Sequence, residues 1–141
     1  MGLILDSSVV IAAERRGDTV AQLFRQIVSV VGDQRVALSA VGLTELVHAI
    51  WRAQAPLVRD RRQQYIDDLL IEVEVVPYTK ATALLAGKID GEQSSRGVII
   101  PSVDLLIGAT ALEHGYSVAT MNVRHFRLIP ELTIITLEHG K

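Results

Sequence analysis

The sequence predicts an α/β fold: a three-layer α/β/α sandwich with a mostly parallel sheet of about five strands. Two observations lead to this prediction. Short apolar runs rich in Val, Ile and Leu alternate along the chain with longer segments in which apolar residues recur every three or four positions. The 141 residues are 49% hydrophobic and show no linker or internal repeat, so we expect a single domain over 1–141 with a substantial core.

The first half of the chain is expected to contain two strands, each followed by two helices. In order, these are a strand at 3–5, helices at 9–14 and from about 20 to 28, a strand at 36–38, and helices at 41–53 and 57–70. Ser7 or Ser8 is the candidate N-cap of the first helix, Asp18 or Thr19 of the second and Ser39 of the third. Pro56 separates the last two helices.

The second half is expected to add three strands and two helices. In order, these are a strand at 73–76, a helix at 80–89, a polar loop at 90–97, a helix ending at 114, and strands at 116–120 and 133–137. The helix that ends at 114 is apolar nearly all round, and Gly115 follows it as a stop signal. We therefore expect this helix to be buried between layers.

Composition excludes several classes of function. The chain has no cysteine, so disulfides, thiolate chemistry and cysteine-based zinc sites are ruled out. The net charge of −2 gives no overall positive field for nucleic acid, and the arginines form only local clusters. The N-terminus lacks the features of a signal peptide, and no apolar stretch is long enough to span a bilayer. We therefore expect a cytoplasmic protein that does not enter membranes.

Three acidic residues stand at the ends or beginnings of these elements. Asp6 follows the first strand, Glu45 lies in the helix after the second strand, and Asp104 lies in the first turn of the apolar helix. In a parallel sheet with right-handed crossovers, such positions can converge on one edge, where α/β folds place ligand sites. Simpler interpretations are also open: Asp6 as a turn or cap residue, and Asp104 as a carboxylate that complements the helix dipole.

Glu45 has the weakest pattern of the three acids. The apolar side of its predicted helix comprises Leu43, Leu46, Val47, Ile50 and Trp51. Glu45 falls on the opposite side, so periodicity alone makes it a surface residue. An acid on the outer face of one helix can still line a groove against a neighbour.

Clustered carboxylates repel one another unless a cation neutralises them. The four histidines, at 48, 114, 125 and 139, show no metal-ligand spacing, so the oxygen donors indicate Mg²⁺ or Mn²⁺. Such an ion can polarise a phosphoryl oxygen and activate a water for attack. A phosphatase with an aspartyl nucleophile is disfavoured because position 8 is Ser, and a nucleotide cofactor is disfavoured because no Gly-rich phosphate loop is present.

Four segments resemble those of PIN-domain ribonucleases of the VapC toxin type, and the resemblance spans essentially the whole chain. The segments are Leu5-Asp6-Ser7-Ser8, Ser39 with Thr44-Glu45-Leu46, Asp104-Leu105-Leu106-Ile107-Gly108-Ala109, and Thr120-Met121-Asn122-Val123-Arg124-His125-Phe126. Each segment alone is a weak signal, but four in this order and at these intervals are specific. The resemblance therefore outweighs the surface position that periodicity assigns to Glu45.

The resemblance implies a PIN-like fold and a metal-dependent endoribonuclease that hydrolyses RNA with a metal-activated water. The family's metal-binding acids match Asp6, Glu45 and Asp104, and its supporting hydroxyls match Ser7 and Thr120. Asn122 stands where many PIN domains carry a further acid, and it completes the candidate catalytic set. Asn keeps an oxygen ligand but removes a charge, which argues against a second tightly bound ion. Arg96 and Arg124 are candidates for phosphate contact.

The resemblance also implies partners. It implies the toxin of a type II toxin–antitoxin pair, with an RNA substrate and a homodimer. A cognate antitoxin would lay a helix or strand across the groove and reach the acids with a basic side chain. Trp51 and Tyr65 are candidate docking points and equally candidate core residues. The alternative is a catalytically weak PIN-like module that acts mainly by binding RNA or an antitoxin, with Asn122 marking the weakened site.

Overall fold

A sheet of five parallel strands forms the centre of the structure, a computed structural model that describes residues 1–137. The strands of this part of the chain are β1 (Gly2–Leu5), β2 (Arg35–Ser39), β3 (Glu74–Val76), β4 (Ser117–Ala119) and β5 (Ile134–Ile135). The helices are α1 (Ser7–Arg16), α2 (Val20–Val31), α3 (Ala40–Arg52), α4 (Pro56–Glu72), α5 (Lys80–Ser94), α6 (Ser102–His114) and α7 (Val123–Phe126). None of these helices combines the length and the apolar character needed to cross a bilayer.

Successive side chains of a strand point to opposite faces of the sheet. The apolar strands therefore present apolar side chains on both faces, and helices cover both. Leu3 and Leu5 of β1 lie in one hydrophobic core with residues of α1, α2, α3 and α4. Ile4 lies in a second core with residues of α5, α6 and α7. The predicted three-layer α/β/α sandwich is confirmed, and every strand pair in residues 1–137 is parallel.

The strand order β3-β2-β1-β4-β5 places β1 at the centre of the sheet. From β1 the chain builds outward to β2 and β3, and then returns to the other side of β1 to form β4 and β5. Open α/β sheets place ligand sites where the strand order reverses in this way, beyond the carboxyl ends of the strands. Leu5 pairs with Ala119, so Asp6 and Thr120 leave the sheet side by side at this point.

The start of α1 differs from the prediction. Asp6 occupies the N-cap position, its side chain accepts no capping hydrogen bond, and the helix already begins at Ser7. The prediction that Ser7 or Ser8 caps this helix is therefore wrong, because both residues lie in its first turn. Of the two candidate caps of α2, Thr19 and not Asp18 is the N-cap, and the predicted cap at Ser39 is confirmed. The side chains of Thr19 and Ser39 each accept a hydrogen bond from a backbone N–H in the first turn of the helix.

The loop predicted at 90–97 is wrong over its first part, because α5 continues to Ser94. Ile89 and Gln93 are four residues apart and both buried, so the inward face of the helix extends past Gly91. The segment after β4 also contains the short helix α7, which the apolar pattern does not indicate. The last strand is shorter than predicted and covers only Ile134–Ile135.

The buried face of α3 is narrower than the spacing predicts. Leu46 and Ile50 are buried, whereas Val47 is 39% exposed and Trp51 is 65% exposed. Trp51 therefore lies on the surface, with the guanidinium carbon of Arg59 at 5.5 Å from its ring centroid. A narrower buried face leaves room for a residue such as Glu45 to face a neighbouring helix.

Candidate metal centre

Asp6 is fixed at the carboxyl end of β1 by two hydroxyl groups. It is 1% exposed. Ser8 Oγ donates a hydrogen bond of 2.6 Å to Asp6 Oδ2, and Thr120 Oγ1 donates one of 2.8 Å to the same oxygen. The backbone N–H of Asp6 donates to the carbonyl oxygen of Ala119 at 2.9 Å. The carboxylate is therefore held between the first turn of α1 and the end of β4.

The loop that follows β4 directs these hydroxyl hydrogens toward Asp6. The backbone N–H of Met121 donates to Ser8 Oγ at 3.0 Å, and the backbone N–H of Asn122 donates to Thr120 Oγ1 at 2.8 Å. Each hydroxyl thus accepts a hydrogen bond from the backbone while it donates its own hydrogen to the carboxylate. Bonds to a charged acceptor are the stronger class of hydrogen bond, so this network holds Asp6 in one orientation.

Glu45 reaches the same region from α3. Ser7 Oγ donates a hydrogen bond of 2.7 Å to Glu45 Oε1, which joins the first turn of α1 to α3. Burial raises the pKa of Glu45, the bond from Ser7 opposes the rise, and the charges of Asp6 and Asp104 add to it. The surface position that periodicity gives Glu45 is therefore wrong, and the position that the family resemblance gives it agrees with this geometry.

Asp104 lies in the first turn of α6, as predicted, and is 8% exposed. Nδ1 of His125 lies 2.6 Å from Asp104 Oδ2. Burial is the largest cause of a raised pKa at Asp104, the hydrogen bond from His125 opposes it, and the charge of Asp6 adds to it. The three acids therefore act on one another electrostatically although they belong to three different elements.

Each acid has one oxygen bonded to a side-chain donor and one oxygen without such a partner. The bonded atoms are Oδ2 of Asp6, Oε1 of Glu45 and Oδ2 of Asp104. Among residues 1–137, the other carboxylate oxygen of each has no hydrogen-bond or ion-pair partner. Each side chain is thus oriented by the protein and still has a donor oxygen available.

This donor set fits a hard divalent cation. Carboxylate oxygens are the ligands that Mg²⁺ and Mn²⁺ prefer. A cation would offset the mutual repulsion, which adds to the effect of burial in raising the pKa values of Glu45 and Asp104. Within the described part of the chain, no three His, Asp or Glu side chains cluster tightly enough to form a complete metal site. Mg²⁺ is commonly bound by one or two carboxylates with water in the remaining positions, and the residues present suit that mode.

The other sequence-predicted site residues form no hydrogen bond or ion pair with the acids. Asn122 is exposed, and its side chain makes no hydrogen bond with any residue in 1–137. Arg96 and Arg124 are also exposed, and their guanidinium groups form no ion pair or hydrogen bond within the same range. The structure therefore brings Asp6, Glu45, Asp104, Ser7 and Thr120 together and leaves these three free to meet a ligand.

Two residues of the site escape the sequence reasoning. Ser8, a candidate cap by sequence, donates to Asp6 instead, and His125, which shows no metal-ligand spacing in the sequence, contacts Asp104. The only sequence signal for a site role of Ser8 and His125 is their position, because each lies inside one of the segments that resemble the PIN-domain family. His139 lies outside the described residues.

The chain is similar in sequence to known nucleases. A sequence profile of the PIN domain matches residues 3–132. The chain is 30% identical over 137 residues to Ribonuclease VapC1 of Rickettsia felis, and the alignment covers 97% of each chain. It is 28% identical over 100 residues to the tRNA(fMet)-specific endonuclease VapC of Salmonella typhimurium, and that alignment covers 71% of this chain and 74% of the relative.

A solved structure shares the fold. It is the VapBC2 complex from Rickettsia felis bound to a DNA fragment from its promoter. One of its chains superposes with a TM-score of 0.84 at 20% sequence identity, covering 98% of this chain and all of that chain. At this identity the likeness concerns the fold, and it agrees with the parallel sheet and the three layers described above.

Proposed function

The chain belongs to the PIN domain family and, within it, to the VapC ribonucleases, and from this premise we propose a metal-dependent endoribonuclease that acts as the toxin of a type II toxin–antitoxin pair. It hydrolyses RNA phosphodiester bonds with Mg²⁺ or Mn²⁺. One observation supports this proposal above all others. The charge of Asp6 acts on both Glu45 and Asp104, and each of these three carboxylates keeps one oxygen without a partner among residues 1–137.

The charge of the site explains why a cation is needed. Three carboxylates alone repel an RNA phosphate, so an acidic pocket suits this substrate only when a cation is bound. Asp6 and Asp104, with Glu45, would hold the ion. When bound, it supplies Lewis acidity toward a phosphoryl oxygen and lowers the pKa of a water.

The remaining residues of the site have supporting roles in this proposal. Ser8 and Thr120 orient Asp6, and Ser7 orients Glu45, because each donates a hydrogen bond to one carboxylate oxygen. Asn122 offers an uncharged oxygen from the loop after β4. The exposed Arg124 of α7 and Arg96, in the turn after α5, are available to contact RNA phosphates.

Partners follow from the same proposal. The related chain of known structure belongs to the VapBC2 complex, and we propose that a cognate antitoxin binds this chain and blocks the acids. An open groove between α2 and α4 has exposed apolar side chains at Val28 and Ile71, which suit an apolar segment of that antitoxin. Trp51 is exposed and suits the same role, whereas Tyr65 is a core residue at 8% exposure. We further propose a cytoplasmic homodimer in which each chain is a single domain.

Cleavage of RNA by purified, antitoxin-free protein tests the proposal. The substrates are a mixed RNA pool and total tRNA that includes initiator tRNA, each incubated with Mg²⁺, Mn²⁺ or EDTA. The test variant is Asp6→Asn, whose amide oxygen can still accept the bonds from Ser8 and Thr120. The control is Asp67→Asn, because Asp67 is an exposed residue of α4.

The expected result is cleavage by the wild type and by Asp67→Asn with either metal, and none with EDTA or with Asp6→Asn. Cleavage that persists in EDTA or in the Asp6→Asn variant would place catalysis elsewhere. Absence of cleavage by folded wild-type protein, combined with tight RNA or antitoxin binding, would favour the binding module.

A further inference from the structure

One short segment of the chain contacts two of the three acids. The segment is residues 120–126, which runs from the end of β4 through α7. At its start, Thr120 donates to Asp6, and near its end, the ring of His125 contacts Asp104. Asp6 belongs to the β1–α1 junction and Asp104 to α6, so this segment bridges elements that are far apart in sequence.

Packing fixes this segment against α6. Phe126 is fully buried and Ile129 is 2% exposed, both in the core on the α6 side of the sheet. Gly108 of α6 lies directly beneath Ile129, and a Cβ at position 108 would overlap Ile129 Cδ1. Gln93 Nε2 donates a hydrogen bond of 2.8 Å to the carbonyl oxygen of Leu128. The backbone of His125 therefore has a defined position relative to the first turn of α6.

The contact between His125 and Asp104 has a clear direction. The distance from Nδ1 to Oδ2 is 2.6 Å, and an ionised carboxylate can only accept, so the hydrogen lies on Nδ1. The second ring nitrogen, Nε2, has no partner among residues 1–137. The bond occupies Oδ2 of Asp104 and leaves Oδ1 as its available oxygen.

We propose that His125 is a positioning residue of the metal centre, in which its Nδ1–H fixes the carboxylate of Asp104 in the orientation that receives the divalent cation. This inference rests on the proposed function. An unrestrained carboxylate rotates about its last side-chain torsion. Binding a cation then costs the conformational entropy of that rotation, whereas a carboxylate already held by a hydrogen bond does not lose it. Groups that orient a metal-binding side chain commonly change metal affinity by about 10- to 100-fold when they are removed.

Three substitutions at position 125 separate this role from others. In His125→Asn, the side-chain amide nitrogen lies close to the place of Nδ1 and can donate to Asp104. In His125→Gln, the amide nitrogen lies closer to the place of Nε2. His125→Ala removes both, and His48→Ala, at an exposed position of α3, is the control.

The measurement is calorimetric titration of Mn²⁺ into each RNA-free protein, with thermal denaturation in EDTA to verify folding. We expect the dissociation constant for Mn²⁺ to rise about tenfold or more in His125→Ala and His125→Gln, and to stay within about threefold of wild type in His125→Asn and His48→Ala. If His125→Ala does not fold, the comparison of the Asn and Gln variants decides.

Two results would overturn the inference. One is wild-type Mn²⁺ affinity in His125→Ala; the other is rescue by Gln and not by Asn, which would mean that Nε2 is the functional atom. Failure of the proposed function is distinguishable from either, because wild-type protein would then bind no Mn²⁺ and cleave no RNA.

Discussion

Ser7 Oγ donates a hydrogen bond of 2.7 Å to Glu45 Oε1, across 38 positions of sequence. This bond links the first turn of α1 to the polar side of α3. It gives Glu45, which its own helix pattern assigns to the surface, a fixed place beside Asp6 and Asp104. The candidate metal centre thus depends on a contact between two helices as well as on residues at the ends of strands.

Replacing Ser7 by Ala removes the restraint on Glu45. We expect Mn²⁺ affinity and RNA cleavage to fall about tenfold, and the free energy of unfolding to fall by about 1 kcal/mol because a half-buried hydrogen bond is lost. Calorimetric titration, a cleavage assay and urea denaturation measure the three effects. The matched control is Ser29→Ala in α2, where the hydroxyl is exposed and bonds the backbone of its own helix. If Ser7→Ala and Ser29→Ala had the same Mn²⁺ affinity and cleavage activity, Ser7 would have no role in the metal centre.

Replacing Glu45 by Gln is expected to stabilise the metal-free protein at neutral pH. Because the folded pKa of Glu45 is raised, its stabilising contribution is complete below the unfolded pKa and is lost as the pH rises through the folded pKa. Gln does not titrate and can still accept the bond from Ser7. The advantage of the variant over wild type should therefore shrink as the pH falls from above the folded pKa to the usual range of a Glu carboxyl, and it should be smallest below that range.

Thermal denaturation in EDTA across this pH range measures the effect, with Glu72→Gln, an exposed position of α4, as the control. Added Mg²⁺ should then raise the midpoint of wild type more than that of Glu45→Gln, since only wild type keeps the full set of acids. A metal-free variant that is less stable than wild type at neutral pH would contradict the electrostatic account.

Thr120→Val tests the network around Asp6. Thr120 is fully buried, its hydroxyl donates to Asp6, and it accepts the backbone N–H of Asn122. Val keeps the shape, but it removes one of the two hydrogen bonds to Asp6 Oδ2 and leaves the backbone N–H of Asn122 without its acceptor. The free energy of unfolding should therefore fall by about 1–3 kcal/mol, and Mn²⁺ affinity should fall with it. In Thr120→Ser the hydroxyl remains, so Mn²⁺ affinity should stay near wild type while the lost methyl lowers stability by about 1 kcal/mol. Equal Mn²⁺ affinity in the Val and Ser variants would argue against a role for this hydroxyl.

Gly108→Ala tests the packing that positions the 120–126 segment. The added methyl would overlap Ile129 Cδ1, and we expect a loss of about 1–3 kcal/mol in unfolding free energy. Gly87→Ala in α5 is the control, because nothing lies within 4 Å of its Cβ position and Ala is the better helix former by about 0.5–1 kcal/mol. Ile129→Val removes the overlapping atom, so it should restore part of the stability in the double variant. Additive effects of the two substitutions would show that they do not interact.

The parts of this structure that sequence predicts depend on local signals. Apolar runs identify β1 and β2, hydroxyl residues identify the caps at Thr19 and Ser39, and Gly115 identifies the end of α6. Asp6 and Asp104 are recognisable because their positions relative to a strand end and a helix start can be deduced from their neighbours. The three-layer arrangement follows from the alternation of such elements.

The parts that sequence does not predict depend on contacts between distant residues. Nothing near Ser8 indicates that its hydroxyl bonds Asp6 and accepts the N–H of Met121, because that requires β4 to lie beside β1. His125 is similar, since its partner Asp104 lies 21 positions earlier in the chain. The continuation of α5 past Gly91 likewise depends on the burial of Gln93 against the turn after α7.

The central claim is that Asp6 and Asp104 bind one divalent cation between β1 and α6. The most direct test is a crystal of the antitoxin-free protein soaked in Mn²⁺, with the anomalous signal of manganese used to locate the ion. The account predicts a peak about 2.0–2.2 Å from a carboxylate oxygen of each residue, and its loss in Asp6→Asn crystals. A manganese peak elsewhere, or none at a concentration that supports Mn²⁺-dependent cleavage, would contradict it.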